Sequence, residues 1–290
     1  MRHPFLSWVL FIILSFIWGS SFILMKEGMK SLSPYQVATI RILSAGIILI
    51  PFGINSFKSI AAKKRWPVLV SGLLGSFFPA YLFCLAETKL NSGLAGILNA
   101  LTPLFTIGTG ILFFQQKIKT QQLLGVLLGF VGLVILFYHK GTFSFMHLEY
   151  ALFILIATFL YGLNVNYVRK HLQGIGSLHI ASMAFLLLVI PCLIILSFTG
   201  YFTQSFTTAE IHATLFSALL GIMGTAVATV LFYILLKHAG PLFASMVTYG
   251  IPFVAIGWGI LAGEVFGWNQ LLSMLLILAG VYITNKYKKI

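Results

Sequence analysis

Apolar runs of about 20 residues recur along the whole chain, and each is long enough to cross a lipid bilayer as a helix. Of the 290 residues, 59% are hydrophobic and 8% are charged, whereas soluble proteins carry about 25% charged residues. There is therefore too little polar surface for a water-soluble globule. Because the runs are continuously apolar rather than alternating, they predict helices and exclude a barrel.

The predicted fold is an all-α polytopic membrane protein with ten transmembrane helices. The predicted spans are residues 6–25, 35–53, 67–86, 92–114, 121–138, 150–168, 178–198, 211–235, 242–262 and 268–285. The first run is interpreted as a retained span rather than a signal peptide, because it is longer than a typical signal core and has a counterpart later in the chain.

An even number of spans places both termini on one side of the membrane. That side holds thirteen basic residues, namely Arg2, Lys58, Lys63, Lys64, Arg65, Lys117, Lys119, Arg169, Lys170, Lys237, Lys286, Lys288 and Lys289. The other side holds four, namely Lys26, Lys30, Lys89 and Lys140. The positive-inside rule therefore predicts a multi-pass protein of the cell inner membrane with cytoplasmic termini. It also explains the net charge of +13 by orientation of the chain in a membrane, with lipid as a partner, rather than by binding of nucleic acid.

The chain contains an internal repeat. PLFTIGTGIL (Pro103–Leu112) aligns with PFVAIGWGIL (Pro252–Leu261), and six of the ten positions are identical. The period is about 145 residues, which corresponds to five predicted spans. Because five is odd, the second half must enter the membrane from the opposite side, as in the inverted repeats of secondary transporters. We therefore predict two five-helix domains, residues 1–143 and residues 144–290.

Pro103 and Pro252 each lie about ten residues into the fourth span of their repeat. In lipid, such a break is tolerated where neighbouring helices, polar side chains or water satisfy the freed backbone groups. The two prolines are predicted to be hinges, and Glu264, which closes the ninth span, is a third hinge or gate candidate.

The segments WGSSFILMK, SPYQVATIR, GTAVATVLFYILLKHAGPLFAS and IPFVAIGWGILAGE occur in an order and spacing that resemble the EamA-type branch of the drug/metabolite transporter superfamily. The resemblance covers nearly the whole chain. It implies two inverted five-helix repeats around a cavity lined mainly by the first four helices of each repeat, with the fifth and tenth helices at the periphery. It also implies transport of small metabolites, often export of amino acids or related compounds.

One position departs from the family pattern. The Gly-Glu pair that ends the fourth span of a repeat is present as Gly263-Glu264, but the first repeat has Phe114 and Gln115 there. This difference argues against a symmetric pair of carboxylate gates.

The sequence predicts neither an enzyme nor a cofactor or metal. It contains no GxxxxGK[ST] loop, no HExxH motif and no Cys/His cluster, and its five acidic residues are all Glu. None of them lies near the middle of a predicted span, where proton-driven transporters commonly hold a titratable acid. This favours a facilitator or exchanger, with proton coupling as the alternative.

Arg41 is the one clear charge within a predicted span, about seven residues from the start of the second. At the helical rise this places it roughly 10 Å into the span. From that depth its side chain can snorkel to the outer headgroups or bind a substrate carboxylate or phosphate. The residue pattern leaves both interpretations open.

Uncharged polar side chains complete the predicted substrate-binding set. They are Trp18, Ser21, Tyr81, Asn99, Tyr161, Asn164, Thr248 and Tyr249. Trp18 and Tyr161 are paired by the repeat and lie too deep for interface anchors, so we predict that they form opposite walls of one cavity. Asn99 and Asn164 are the strongest of these candidates, because an amide is costly to leave facing lipid.

The leading hypothesis is a secondary transporter, an exporter or exchanger, that moves a small polar metabolite by alternating access. An amino acid or derivative is the preferred substrate. The alternatives are a sugar-phosphate or nucleotide-sugar exchanger, a lipid scramblase and a drug efflux protein. Gly125, Gly129 and Gly132 predict close helix packing in the fifth span, either within a monomer or across a homodimer.

Overall fold

The computed structural model describes residues 4–90, 92–138, 148–254 and 268–286, and all regular structure in these ranges is helical. The α-helices are α1 (Pro4–Gly28), α2 (Pro34–Ser59), α3 (Ala62–Gly72), α4 (Phe78–Glu87), α5 (Ser92–Asn99), α6 (Thr102–Phe114), α7 (Thr120–Tyr138), α8 (Leu148–His171), α9 (Ser177–Phe198), α10 (Thr208–Gly221), α11 (Ala228–Ala239), α12 (Pro241–Ser245) and α13 (Trp268–Lys286). The predicted boundary between residues 143 and 144 lies outside the described residues.

Six helical stretches are long and apolar enough to cross a membrane. They are Phe5–Gly28, Pro34–Ser59, Ala62–Glu87, Glu149–His171, Ser177–Phe198 and Thr208–Ala239. Four shorter apolar helices fall on the other predicted spans, at Thr102–Phe114, Thr120–Ile135, Pro241–Val254 and Leu272–Thr284. The fold is therefore that of an all-helical membrane protein.

The fourth and ninth predicted spans are broken rather than continuous. α5 ends at Asn99 and α6 begins at Thr102, so that Pro103 occupies the first turn of a new helix. In the second repeat, α12 is followed by a 3₁₀ turn (Met246–Tyr249) and by helical residues 251–254, which include Pro252. A proline in a first helical turn removes no intrahelical hydrogen bond. Both prolines therefore start a helix after a break.

The two repeats contact each other through equivalent glycines. A Cβ atom on Gly19 in α1 would lie 2.7 Å from the Cβ of Val254, and one on Gly162 in α8 would lie 2.7 Å from the carbonyl carbon of Phe105. Gly19 and Gly162 are equivalent positions in the two repeats. Their contact partners, Val254 and Phe105, are equivalent positions as well. In each half, the absence of a side chain lets the first helix touch the fourth span of the other half.

α7 and α13 pack closely through small residues within one chain. A Cβ atom on Gly280 would lie 2.5 Å from both the carbonyl oxygen of Gly125 and the amide nitrogen of Gly129. A Cβ atom on Gly132 would lie 2.9 Å from the carbonyl oxygen of Ser273. Small residues permit this backbone approach between helices in lipid. The predicted close packing of the fifth span is thus observed between α7 and α13 of one chain, so it does not require a second copy of the chain.

Candidate substrate cavity

Residues from both halves of the chain line a central cavity with a volume of about 110 Å³. This is room for several water molecules or one small solute. Seven of the nine predicted binding residues lie on its wall, namely Trp18, Ser21, Arg41, Asn99, Tyr161, Asn164 and Thr248. In the part of the chain that the structure describes, the lining includes no residue from α7, α9 or α13 and no carboxylate.

A π-helical turn interrupts the third span and another interrupts the eighth. The first covers Leu73–Phe77, between α3 and α4, and the second covers Ile222–Val227, between α10 and α11. π turns inside α-helices occur frequently at functional sites. Here both turns contribute to the cavity wall, through Gly75 and Gly224 and the residues that follow them.

Each π turn contacts the first helix of the other repeat. The Trp18 indole donates to the carbonyl oxygen of Gly224 at 3.1 Å, and a Cβ atom on Gly224 would lie 2.6 Å from the Ser21 hydroxyl oxygen. In the other half, a Cβ atom on Gly75 would lie 2.2 Å from Nδ2 of Asn164. Ser21 and Asn164 occupy equivalent positions, three residues after Trp18 and Tyr161. The two glycines therefore bring equivalent polar side chains to the cavity.

Arg41 points into the protein rather than to the headgroups. Its Nε donates to the Thr225 hydroxyl oxygen at 2.7 Å, which joins α2 to the second π turn. Within the described ranges no carboxylate forms a salt bridge with this guanidinium. The snorkelling alternative is not the conformation observed, and the cavity has a positively charged wall.

Asn164 belongs to a buried polar chain on the opposite repeat. It is 4% exposed and lies on the cavity wall together with Tyr233, whose hydroxyl is 2.9 Å from the hydroxyl of Ser71. The amide oxygen Oδ1 has no hydrogen-bond partner in the structure. Buried amide oxygens are nearly always hydrogen-bonded, so an unpaired oxygen at this position is unusual.

Asn99 lies at the break between α5 and α6. The Thr102 hydroxyl donates to the Asn99 backbone carbonyl at 2.6 Å and lies 3.4 Å from its side-chain oxygen. This local bond satisfies a carbonyl that the interrupted helix leaves without its usual partner. Asn99 and Thr102 both face the cavity, so the helix break forms part of the cavity wall.

Two predicted residues lie elsewhere and one lies outside the described residues. The Tyr81 hydroxyl is 2.8 Å from the hydroxyl of Thr39, and its ring lines a separate apolar groove with Phe77 and Phe78. Tyr249 is fully buried and donates to the Val126 carbonyl at 2.8 Å, which joins the 3₁₀ turn to α7. Glu264 falls in residues 255–267, which the structure does not describe.

The cavity also contains residues that the sequence interpretation missed. Gly75 and Gly224 were not among the predicted site residues, although GLLGS (Gly72–Ser76) aligns with GIMGT (Gly221–Thr225) at the same separation that relates Pro103 to Pro252. This repeated glycine pattern marks Gly75 and Gly224 as equivalent positions, although it does not indicate the π turns themselves.

A second cavity, of about 690 Å³, lies directly beyond the central one. α8 contributes Val165 to the central cavity and Val168, one turn later, to the second. α12 and its flanking turn likewise contribute residues to both cavities. The cationic side chains on the second cavity's wall are Lys117, Lys119, Arg169 and Lys237. In the described residues its lining has no acidic side chain. The larger cavity is therefore a basic vestibule at the end of the molecule that was predicted to be cytoplasmic.

The all-helical membrane fold and its central cavity fit the class of polytopic membrane transporters. The profile of the EamA-like transporter family matches residues 6–138 and again residues 148–286. The chain belongs to this family, and the resemblance identified from its sequence motifs is confirmed.

Curated relatives match almost the full length of the chain. The uncharacterized transporter YdfC of Bacillus subtilis is 24% identical, with 94% of this chain and 90% of the relative covered. A probable amino-acid metabolite efflux pump of Salmonella typhimurium is 25% identical, with 92% and 90% covered. The uncharacterized inner membrane transporter YedA of Escherichia coli is 26% identical, with 93% and 88% covered. A solved crystal structure aligns with a TM-score of 0.73 at 16% identity over 98% of each chain, and so shares the fold.

Proposed function

We propose that this protein is a secondary transporter that moves a small polar metabolite by alternating access between its two repeats. The observation that carries the proposal is the central cavity, whose wall combines repeat-related residues from both halves: Trp18 with Tyr161, Ser21 with Asn164, and Gly75 with Gly224. A cavity between inverted repeats, next to broken helices, is where secondary transporters bind their substrate.

The proposed topology has ten spans in two inverted five-helix repeats, residues 1–143 and 144–290, with both termini in the cytoplasm. The four basic side chains of the vestibule support this orientation, because cytoplasmic ends of membrane proteins are rich in Lys and Arg. The proposed location is the cell inner membrane, which is the location given in the name of the relative YedA. Reaction of single cysteines with an impermeant maleimide in intact cells tests this: a cysteine at Lys58 should be protected and one at Lys30 should react.

The preferred substrate is an amino acid or derivative. Its support is the Salmonella relative named a probable amino-acid metabolite efflux pump, together with the size and polarity of the cavity. The decisive test is flux of labelled metabolites into counter-loaded proteoliposomes that contain the purified protein. An absence of flux across a broad panel of amino acids and related metabolites would overturn the proposal.

Exchange flux is expected to vary less than about twofold between about pH 6 and pH 8, the interval in which His titrates. The reason is that the described cavity wall contains no Asp, Glu or His. The measurement is exchange at equal inside and outside pH, followed by the same exchange with an imposed pH gradient and with a protonophore as control. Uptake above equilibrium that is driven by the gradient would instead establish proton coupling.

A further inference from the structure

A buried amide joins the two repeats at the boundary between the central cavity and the vestibule. Asn166 in α8 is fully buried. It lies between Val165, on the wall of the central cavity, and Val168, on the wall of the vestibule. Its Nδ2 donates to the Thr106 carbonyl oxygen at 2.8 Å and to the Thr109 hydroxyl oxygen at 2.9 Å. One side chain of the second repeat is therefore bonded twice to α6 of the first.

The oxygen side of the same amide is bound by Gln116, which lies on the vestibule wall. Nε2 of Gln116 donates to Oδ1 of Asn166 at 2.9 Å. The turn before it explains this placement. Gln115 ends α6 in the left-handed conformation, with φ 52° and ψ 34°, and the Gln116 amide nitrogen then donates to the Gly110 carbonyl oxygen at 2.9 Å. The chain reverses at this point, so the Gln116 side chain returns to α8.

The amides of this network have no counterpart in the other half of the sequence. At the separations that relate Gly19 to Gly162 and Pro103 to Pro252, the positions equivalent to its four residues hold Ile23, Ala255, Trp258 and Val265. Alkyl side chains neither donate nor accept hydrogen bonds, and an indole only donates. Amides therefore hold the contact between a first helix and a fourth span of the opposite repeat at one end of the molecule only.

This asymmetry affects the two conformations of an alternating-access transporter differently. The two ends of the cavity open in turn as one repeat rocks against the other. Opening towards the vestibule separates α6 from α8 and breaks the bonds of Asn166, whereas opening at the other end breaks no side-chain network of this kind. Hydrogen bonds between helices in lipid are individually weak, so a few of them shift the balance of two conformations without locking either one.

We propose that Asn166 and Gln116 form a latch that closes the passage between the central cavity and the vestibule, and that its release opens the cavity to the vestibule. This inference rests on the proposed function and deepens it, because it names the contact that favours the conformation closed towards the vestibule. Asn166 is a positioning residue: it is not among the described residues that line the central cavity. It acts by holding α6 against α8.

The test measures from which side of the membrane the central cavity can be reached. Thr229→Cys places a reporter on the wall of the central cavity, and Lys117→Cys places one on the wall of the vestibule. Both are made in a background in which Cys84 and Cys192 are replaced by alanine. The reagent is a membrane-impermeant methanethiosulfonate, applied to right-side-out and to inside-out vesicles. The vestibule reporter identifies the side to which the vestibule opens, so the result does not depend on the predicted orientation.

Asn166→Leu is expected to raise the modification rate of Thr229→Cys from the vestibule side by about three- to tenfold, because it removes three hydrogen bonds between the repeats. The rate from the other side should not rise. Gln116→Leu should act in the same direction with a smaller effect, and it should add little to Asn166→Leu, because the two residues share one bond. Gln116 is only half-buried, so its variant decides the matter if Asn166→Leu does not fold.

Thr158→Val is the matched control. Thr158 is also fully buried in α8, but its hydroxyl donates to the Ile154 and Leu155 carbonyls of its own helix. This variant removes a buried hydrogen bond without loosening α6, so it should leave both modification rates unchanged.

Two results would overturn the latch. One is that Asn166→Leu and Gln116→Leu change neither rate. The other is that they raise both rates equally, as a general loosening of the fold would, which thermal unfolding in detergent would show independently. The proposed function is judged separately, by metabolite flux through the wild-type protein. If flux is present and the rates do not shift, only the latch fails; if no metabolite of the panel is transported, the proposed function fails.

Discussion

Replacing Gly280 by alanine is expected to lower the free energy of unfolding by about 1–3 kcal/mol, the usual cost of overpacking a well-packed helix contact. The new Cβ atom would lie 2.5 Å from backbone atoms of Gly125 and Gly129. Backbone cannot rotate away as a side chain can, so α13 must move off α7. The measurement is unfolding of the purified protein by a denaturing detergent.

Gly108→Ala is the matched control for this stability prediction. Gly108 is also helical, but a Cβ atom there would meet nothing within 4 Å. Alanine is favoured over glycine inside a helix by about 0.5–1 kcal/mol, so this variant should be as stable as the wild type or slightly more stable. Equal destabilisation by both substitutions would contradict the assignment of Gly280 to a close helix crossing.

Gly75→Ala is expected to lower transport by about tenfold while leaving most of the stability intact, a loss comparable to one hydrogen bond in the bound state. The added methyl group would lie 2.2 Å from Nδ2 of Asn164. The amide is the end of a flexible side chain, so it can move, but in moving it changes the wall of the central cavity that Asn164 lines. The measurement is initial exchange flux together with thermal unfolding.

A double-mutant cycle tests the cause of this loss. Asn164→Ser shortens the side chain and removes the collision, so Gly75→Ala should have little further effect in that background. Gly96→Ala, at a glycine whose Cβ would meet nothing within 4 Å, is the control for glycine replacement in this half of the chain. If Gly75→Ala reduced flux equally with Asn and with Ser at position 164, the π turn would act by another route.

The helical class and the family were predictable because apolar runs of membrane length and repeated motifs are properties of the linear sequence. The helix breaks were predictable in part: Pro103 and Pro252 mark them, but the structure places each proline at the start of a helix rather than in the middle of one. The π turns were missed because these helices are apolar all round and have no polar face. Without a polar face, the spacing of side chains does not reveal a turn that contains an extra residue.

Rotation of the helices explains the uneven outcome for the candidate residues. Tyr81 and Tyr249 have the same chemistry as Tyr161, yet Tyr81 bonds Thr39 and Tyr249 bonds the backbone of α7. In water, an amphipathic pattern indicates which face of a helix is buried. In lipid the surroundings are as apolar as the core, so the rotation of each helix is set by contacts between small residues and by interhelical hydrogen bonds. Those contacts join segments that are far apart in the chain.

By itself, the sequence determined that this protein is an all-helical membrane transporter of the EamA-like family, built from two related halves, because length, hydropathy and repetition are local properties. The tertiary structure alone decided that Arg41 meets Thr225 across the two halves, that Asn164 packs against Gly75, and that two glycine-containing π turns form part of the cavity wall. Each of these depends on the packing of one repeat against the other, and side-chain partners across such an interface are fixed by distance in space rather than by separation along the chain.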